Sequence, residues 1–176
     1  MSDGGAATVA HLQCCATLRD LHQVHTQMTK TQHDRSSFLA GKLVAFCSHR
    51  NLMDYALSVF AHTSSPGLFA RNSIIHGYHQ ASSPHLALLF FASRPTLPPN
   101  SDTFPLLFKA CAQLHDLLLG KALHGHLVKL GFHSDLHVQT ALLSLYRFTP
   151  PAAKSYLRAS CSLLIPTETP SLAGTP

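Results

Sequence analysis

Metal or covalent chemistry needs side chains that can converge, and three groups in this chain qualify by type: His22 with His25, His124 with His126, and the adjacent thiols Cys14 and Cys15. A zinc site asks for nitrogen and sulfur donors at short spacings such as Cys-x-x-Cys or His-Glu-x-x-His. Neither spacing occurs. Both histidine pairs fall in stretches with helical periodicity, where they read as helix-surface side chains, so no metal and no other cofactor is expected. Gly-x-Ser-x-Gly elbows, Walker loops and Gly-x-Gly-x-x-Gly fingerprints are also absent from the sequence. No residue is assigned a catalytic role, and the chain is not expected to be an enzyme. The five cysteines, Cys14, Cys15, Cys47, Cys111 and Cys161, are odd in number and irregular in spacing, the pattern of reduced intracellular thiols.

With reactive groups set aside, composition bounds the class. The chain has 176 residues, 45% hydrophobic and 12% charged, with a mean hydropathy of +0.11. That content supports a packed core and excludes a wholly disordered tail protein. No apolar run approaches the eighteen residues of a membrane-spanning helix, so no membrane partner is expected. Thirteen Lys and Arg against eight Asp and Glu give a formal charge of +5, a balance that suits a polyanionic partner.

The elements that would position polar groups emerge when the chain is laid against itself. Phe69-Ala-Arg-Asn-Ser-Ile-Ile-His-Gly-Tyr78 falls in register with Ser37 to Phe46 and with His137 to Tyr146. A second block recurs at Tyr55 to Phe60, Leu86 to Phe91 and Lys121 to His126, with Ala56, Ala87 and Ala122 as its shared small residue. Anchored on Ala40, Asn72, Pro105 and Thr140, the steps are 32, 33 and 35 residues. A period in this range signals a solenoid. Within a unit the apolar spacing is that of amphipathic helices, as in Ile74, Ile75 and Tyr78, or Leu119, Ala122, Leu123, Leu127 and Leu130. Ser83 before Pro84 marks a helix start and Gly131 after Leu130 a helix end. Each unit is therefore predicted to hold two short helices, and the small residue of the second helix to let its neighbour approach closely. The expected fold class is all-α: a right-handed α-solenoid of helix-turn-helix repeats. Ile74, Ile75, Tyr78, Phe90 and Leu123 are assigned to its core.

The segments Arg71-Asn-Ser-Ile-Ile-His-Gly-Tyr78, Pro99-Asn-Ser-Asp-Thr-Phe-Pro-Leu-Leu-Phe-Lys-Ala-Cys111 and Gly120-Lys-Ala-Leu-His-Gly-His-Leu-Val-Lys-Leu-Gly131 resemble plant pentatricopeptide repeat proteins of the mixed-length (PLS) subfamily. Lys129-Leu-Gly131 with Asp135, followed by Thr140 to Tyr146, resembles the end of a long repeat and the start of the next. The resemblance covers about residues 18 to 146 and implies one base of single-stranded RNA per helical repeat. It implies that the fifth and last residues of a unit read the base. That assigns Asn72 with Asn100 in the unit 68–100, a pair leaning towards a pyrimidine, more often cytidine. The long unit 101–135 carries Pro105 and Asp135, the unit 36–67 carries Ala40 and Gly67, and Thr140 lies in a truncated unit 136–146. Outside the resemblance, the bland reading of Asn72 is a helix N-cap. Lys42, Arg71, Lys109 and Lys121, together with Arg94 and Lys129, are the candidate phosphate contacts.

Residues 18–35 are expected to form a partial repeat, 1–17 a flexible segment, and the Ser/Thr/Pro-rich stretch 147–176 a disordered tail. The His-x-Glu and Cys-x-x-Cys of a deaminase-like domain are absent from the sequence. The resemblance implies a plant organelle, mitochondrion or chloroplast, and work on RNA editing or processing beside other proteins. Residues 1–17 hold Asp3 and no Arg, a poor transit peptide. The alternative reading is a protein-interaction solenoid, or a truncated fragment that does not bind RNA by itself.

Overall fold

Short amphipathic stretches of nine to thirteen residues cannot persist alone in water and gain stability by packing their apolar faces. The computed structural model describes residues 3–31, 36–95 and 97–147. Its α-helices are α1 (Asp3–Cys14), α2 (Leu18–Lys30), α3 (Ser37–His49), α4 (Met53–His62), α5 (Leu68–Gln80), α6 (Pro84–Ala92), α7 (Thr103–Leu114), α8 (Leu117–Lys129) and α9 (Leu136–Arg147). A 3₁₀ turn, Phe132–Ser134, precedes α9. No strand occurs among the described residues.

Consecutive helices form antiparallel pairs, and the pairs stack. One layer is made by α3, α5, α7 and α9, in which α3 packs on α5 and α7 on α9. The second helices α4, α6 and α8 cover the other side of their partners. A single apolar cluster runs through the stack from Leu12 to Leu145. The Phe60 and Phe90 rings meet edge to face at 5.4 Å, which joins α4 to α6. Ile74, Ile75, Phe90 and Leu123 are buried and Tyr78 is half-buried against them, as their spacing predicts.

Helix ends explain why the pairs turn where they do. Thr17 and Asp20 form a capping box: the Thr17 hydroxyl oxygen accepts from the Asp20 N–H at 3.2 Å, and the Asp20 carboxylate accepts from the Thr17 N–H at 2.9 Å. The Thr17 N–H on the carboxylate, and then the Thr17 side chain beside it, hold the Asp20 carboxyl below its usual pKa. Pro84 opens α6, and Gly131 closes α8 with φ +80°, a left-handed geometry that glycine adopts without strain. Between the helices of three pairs, Asn51, Ser82 and His115 all take positive φ. Each is followed by the same bond: Leu52 N to Cys47 O at 2.9 Å, Ser83 N to Tyr78 O at 2.9 Å, and Asp116 N to Cys111 O at 3.0 Å.

These recurrent turns define a register that differs from the sequence alignment. The step from Asn51 to Ser82 is shorter by one position than that from Ala40 to Asn72, so Phe38 and Gly41 occupy the helix positions of Phe69 and Asn72. Ala40 instead matches Arg71, and like it is buried. In the second helices, Ala56 and Ala87 are buried as expected, but Ala122 is exposed. The matching position in α8 is Gly120, where an added Cβ would lie 2.7 Å from Leu145 Cδ2 on α9. The shared local string Ala-Leu misled the alignment by two positions. Within the segment 1–17, expected to be flexible, residues 3–14 form α1, which packs on α3, and Leu12 and the following Cys15 are buried. It supplies α2 with a first helix, so Leu18–Lys30 completes a pair. The expected tail lies outside the described residues except for Arg147, which ends α9.

Candidate nucleic-acid interface

The exposed sides of α3, α5 and α7 enclose an open groove of about 590 Å³, lined among others by Phe69, Asn72, His76, Asn100 and Asp102. One pair further on, α7 and α9 form a second groove of about 600 Å³, lined by Pro105, Lys109, Gln113, His137, Thr140 and Ser144. Asn72 and Thr140 thus face successive grooves of nearly equal volume, as a repeating stack requires.

Asn72 is the fifth residue of α5, which begins at Leu68 after Gly67. It lies inside the helix and caps nothing. Its Nδ2 donates to Asn100 Oδ1 at 3.2 Å, so the two residues assigned from sequence as one reading pair are in contact although 28 positions apart. Asn100 sits just before α7, where its side-chain oxygen also accepts from the Thr103 N–H at 3.1 Å. The Thr103 hydroxyl lies 3.0 Å from Asn72 Oδ1 and 2.7 Å from Asn100 Oδ1. Thr103 is 0% exposed. Nothing in the repeat pattern singled it out; the signal was a Thr three residues after Asn100, the spacing of a capping contact.

The other assigned readers are placed differently. Pro105 half-lines the second groove and offers no side-chain hydrogen bond. Asp135 caps α9, its carboxylate accepting from the His137 and Val138 N–H groups at 2.9 and 3.2 Å. Thr140 is exposed and donates to the Leu136 carbonyl at 2.9 Å. At Gly41 there is no side chain, and Phe69 fills the space, with Cδ1 3.2 Å from where a Cβ would stand.

The candidate phosphate contacts divide. Lys109 is exposed on α7 at the second groove. Lys42 holds its ammonium 5.5 Å from the Phe38 ring centroid and 4.9 Å from that of Phe69. Lys121 is exposed on α8, in the layer away from the grooves. Arg71 contradicts its assignment: it is 0% exposed. Its Nη1 donates to the carbonyls of Arg94, at 3.3 Å, and Leu97, and its guanidinium lies over Phe91 at 5.0 Å. Arg71 ties the segment after α6 to α5 and offers no surface charge. Arg94 spans Phe60 and Phe90 at 5.3 and 5.7 Å.

Phe38 and Phe69 were not recognised from sequence. They are 50% and 52% exposed, one repeat apart at matching helix positions, and Lys42 bridges them. An exposed aromatic shelf with a cation on it is an arrangement on which a nucleobase can stack. Two aromatics at the repeat spacing were the available signal, hidden by the misalignment of α3. Beside them His49 and His76 stack at 5.7 Å. Burial, and then the charges of His49, Lys109 and His79, hold His76 below its ordinary pKa.

The histidine pairs considered for zinc are used otherwise. His25 Nδ1 lies 2.6 Å from the Tyr55 hydroxyl, and His124 Nδ1 lies 3.0 Å from that of Tyr146. His126 meets Phe104 edge-on at 6.0 Å. Among the described residues no three His, Cys, Asp or Glu side chains converge as metal ligands, and no helix is long and apolar enough to cross a membrane.

No family model matches the chain. Individual proteins do. A chloroplastic pentatricopeptide repeat-containing protein of Arabidopsis thaliana is 36% identical over 140 residues, 77% of this chain and 19% of its own length. A putative pentatricopeptide repeat-containing protein of the same plant is 34% identical over 143 residues, 78% of this chain and 25% of its own length. A further chloroplastic one is 32% identical over 137 residues, 75% of this chain and 24% of its own length. The chain therefore spans about a fifth to a quarter of the length of these relatives.

Proposed function

The chain belongs to the plant pentatricopeptide repeat family, and from that premise we propose that it binds single-stranded RNA along the face made by α3, α5, α7 and α9. The observation that carries this reading is the contact between Asn72 and Asn100 at the first groove. An amide pair there presents donors and an acceptor to a base edge, while Phe38 and Phe69 offer rings for stacking. Lys42 and Lys109 supply charge for the phosphates. The role is that of a recognition module: it selects RNA for editing or processing carried out by partner proteins, in a chloroplast or mitochondrion. The mixed-length subfamily fits the unequal spacing of the turns at Asn51, Ser82 and His115.

One base-reading site in the described repeats is Asn72 with Asn100; the pair of Pro105 and Asp135 contributes a weak preference, and Thr140 is the fifth residue of the unit that starts at Leu136. Binding follows from anisotropy titrations of fluorescent oligo(rC), oligo(rU) and oligo(rA). The reading expects oligo(rC) to bind best and the preference to vanish when Asn72 and Asn100 are both changed to Ala. Equal affinities of the unaltered chain for all three RNAs, or no binding, would sink it.

A further inference from the structure

We infer that Thr103 fixes the donor and acceptor order of the Asn72–Asn100 pair, and so acts as a positioning residue for base selection. The inference rests on the RNA-reading function proposed above. It follows from accounting for the hydrogens.

A backbone N–H can only donate, so the Thr103 N–H settles which end of the Asn100 amide lies 3.1 Å from it: the oxygen. The Asn100 nitrogen then falls 3.1 Å from Asp102 Oδ2, a carboxylate oxygen that can only accept. Both ends agree. Facing the Asn100 oxygen at 3.2 Å, Asn72 must present its Nδ2. Two N–H groups now occupy the two lone pairs of Asn100 Oδ1, which leaves no place there for the Thr103 hydroxyl hydrogen despite the 2.7 Å separation. That hydrogen goes to Asn72 Oδ1, 3.0 Å away. The hydroxyl oxygen in turn accepts from the Asn100 N–H at 3.2 Å. The ring closes with its direction set by two backbone N–H groups. Thr103 is fully buried, so water cannot take over its hydroxyl.

Asn72 is left with one N–H and one carbonyl lone pair for the groove, in a fixed order. That order matters because N3 is an acceptor in cytosine and a donor in uracil. A fixed amide satisfies one of them, whereas an amide free to turn over can satisfy both. Loss of the Thr103 hydroxyl removes the bond that holds the Asn72 oxygen and leaves Asn72 attached to Asn100 alone.

The test compares the full chain with Thr103→Val, which replaces the hydroxyl by a methyl of similar shape, and Thr103→Ser, which keeps the hydroxyl. Affinities for oligo(rC) and oligo(rU) are measured for each. The Val variant is expected to lower the ratio of the two affinities by about five-fold, a neutral hydrogen bond's worth, with its salt dependence unchanged, and the Ser variant to keep the ratio. A merely structural role would weaken both RNAs alike. A wild-type ratio retained in Thr103→Val overturns the inference alone; a wild-type chain indifferent to the base overturns the RNA reading and the inference with it. Should the Val variant fail to fold, the unaltered chain decides by NMR. One Asn72 side-chain amide hydrogen is then expected to exchange slowly and the other fast, and equal fast exchange of both overturns the inference.

Discussion

His79 on α5 reaches the carbonyl oxygen of Leu106 on α7, with Nε2 2.7 Å from it. Only a protonated ring nitrogen can bond a carbonyl, so Nε2 carries the hydrogen. The Gln113 amide, 3.1 Å from Nδ1, engages the other side of the ring. The buried imidazole thus bolts together two helices whose exposed faces carry Asn72 and Pro105. His79→Ala removes this bridge and leaves a cavity, and is expected to lower stability by about 2 kcal/mol. His79→Gln, which keeps a donor, is expected to lose about half as much. Urea melts followed by circular dichroism check this. A loss for Ala smaller than about 0.5 kcal/mol, the low end for one net hydrogen bond, would show that the bridge contributes nothing.

The sequence exposed the helix pairing because apolar spacing and the turn residues act locally. Ile74, Ile75 and Phe90 follow from periodicity alone, and the pairing of Asn72 with Asn100 follows from the family resemblance. What stayed hidden depends on neighbours in space. Arg71 has the composition of a surface residue, and only the path of the chain after α6, which turns its carbonyls of Arg94 and Leu97 inward, makes it a buried tie. Thr103 carries no mark in the repeat pattern, and its role appears only through its bonds to Asn72 and Asn100. Gly120 carries no apolar signal at all, and its role appears only because Leu145 packs where its side chain would be.

That contact makes Gly120 a sharp test of register. Gly120→Ala places a Cβ 2.7 Å from Leu145 Cδ2, and Leu145 is buried against the core. Overpacking of this kind is expected to lower stability by about 1–3 kcal/mol. Ala122→Ser, at the exposed position two residues on, is expected to change it by less than about 0.5 kcal/mol. The reverse order in thermal or urea melts would restore the alignment on Ala122.

Stability should also depend on pH through His124. Its Nδ1 faces the Tyr146 hydroxyl at 3.0 Å, and burial holds its pKa below the ordinary 6.5. Unfolded, the same ring takes up a proton once the pH falls below that value. The folded chain then binds fewer protons than the unfolded one, so stability is fully present above the ordinary pKa and is lost as the pH falls towards the folded one. His76 shifts in the same direction and adds to the slope. Urea midpoints are expected to fall from about pH 7 to about pH 5, and His124→Gln to flatten that fall. An equally steep fall in the variant would remove His124 as its source.

Arg71 separates a buried cation from a phosphate contact. Its Nε and Nη2 are buried without a hydrogen-bond partner, while Nη1 serves two carbonyls. Burial lowers its pKa, which expresses the desolvation that holding the charge inside entails. Arg71→Met keeps the packing of the stem over Phe91 and removes the two unpartnered donors together with the two bonds. Arg71→Ala loses the bonds and opens a cavity as well. The Met variant is therefore expected to cost about 1 kcal/mol and the Ala variant about 3 kcal/mol. Because Arg71 does not reach the surface, the salt dependence of RNA binding should be the same in Arg71→Met as in the unaltered chain. Lys109→Ala should make it shallower, since each phosphate neutralised by a surface cation adds to the slope. Equal changes in both variants would mean that Arg71 swings out to the RNA on binding, and that the segment it ties to α5 is released with it.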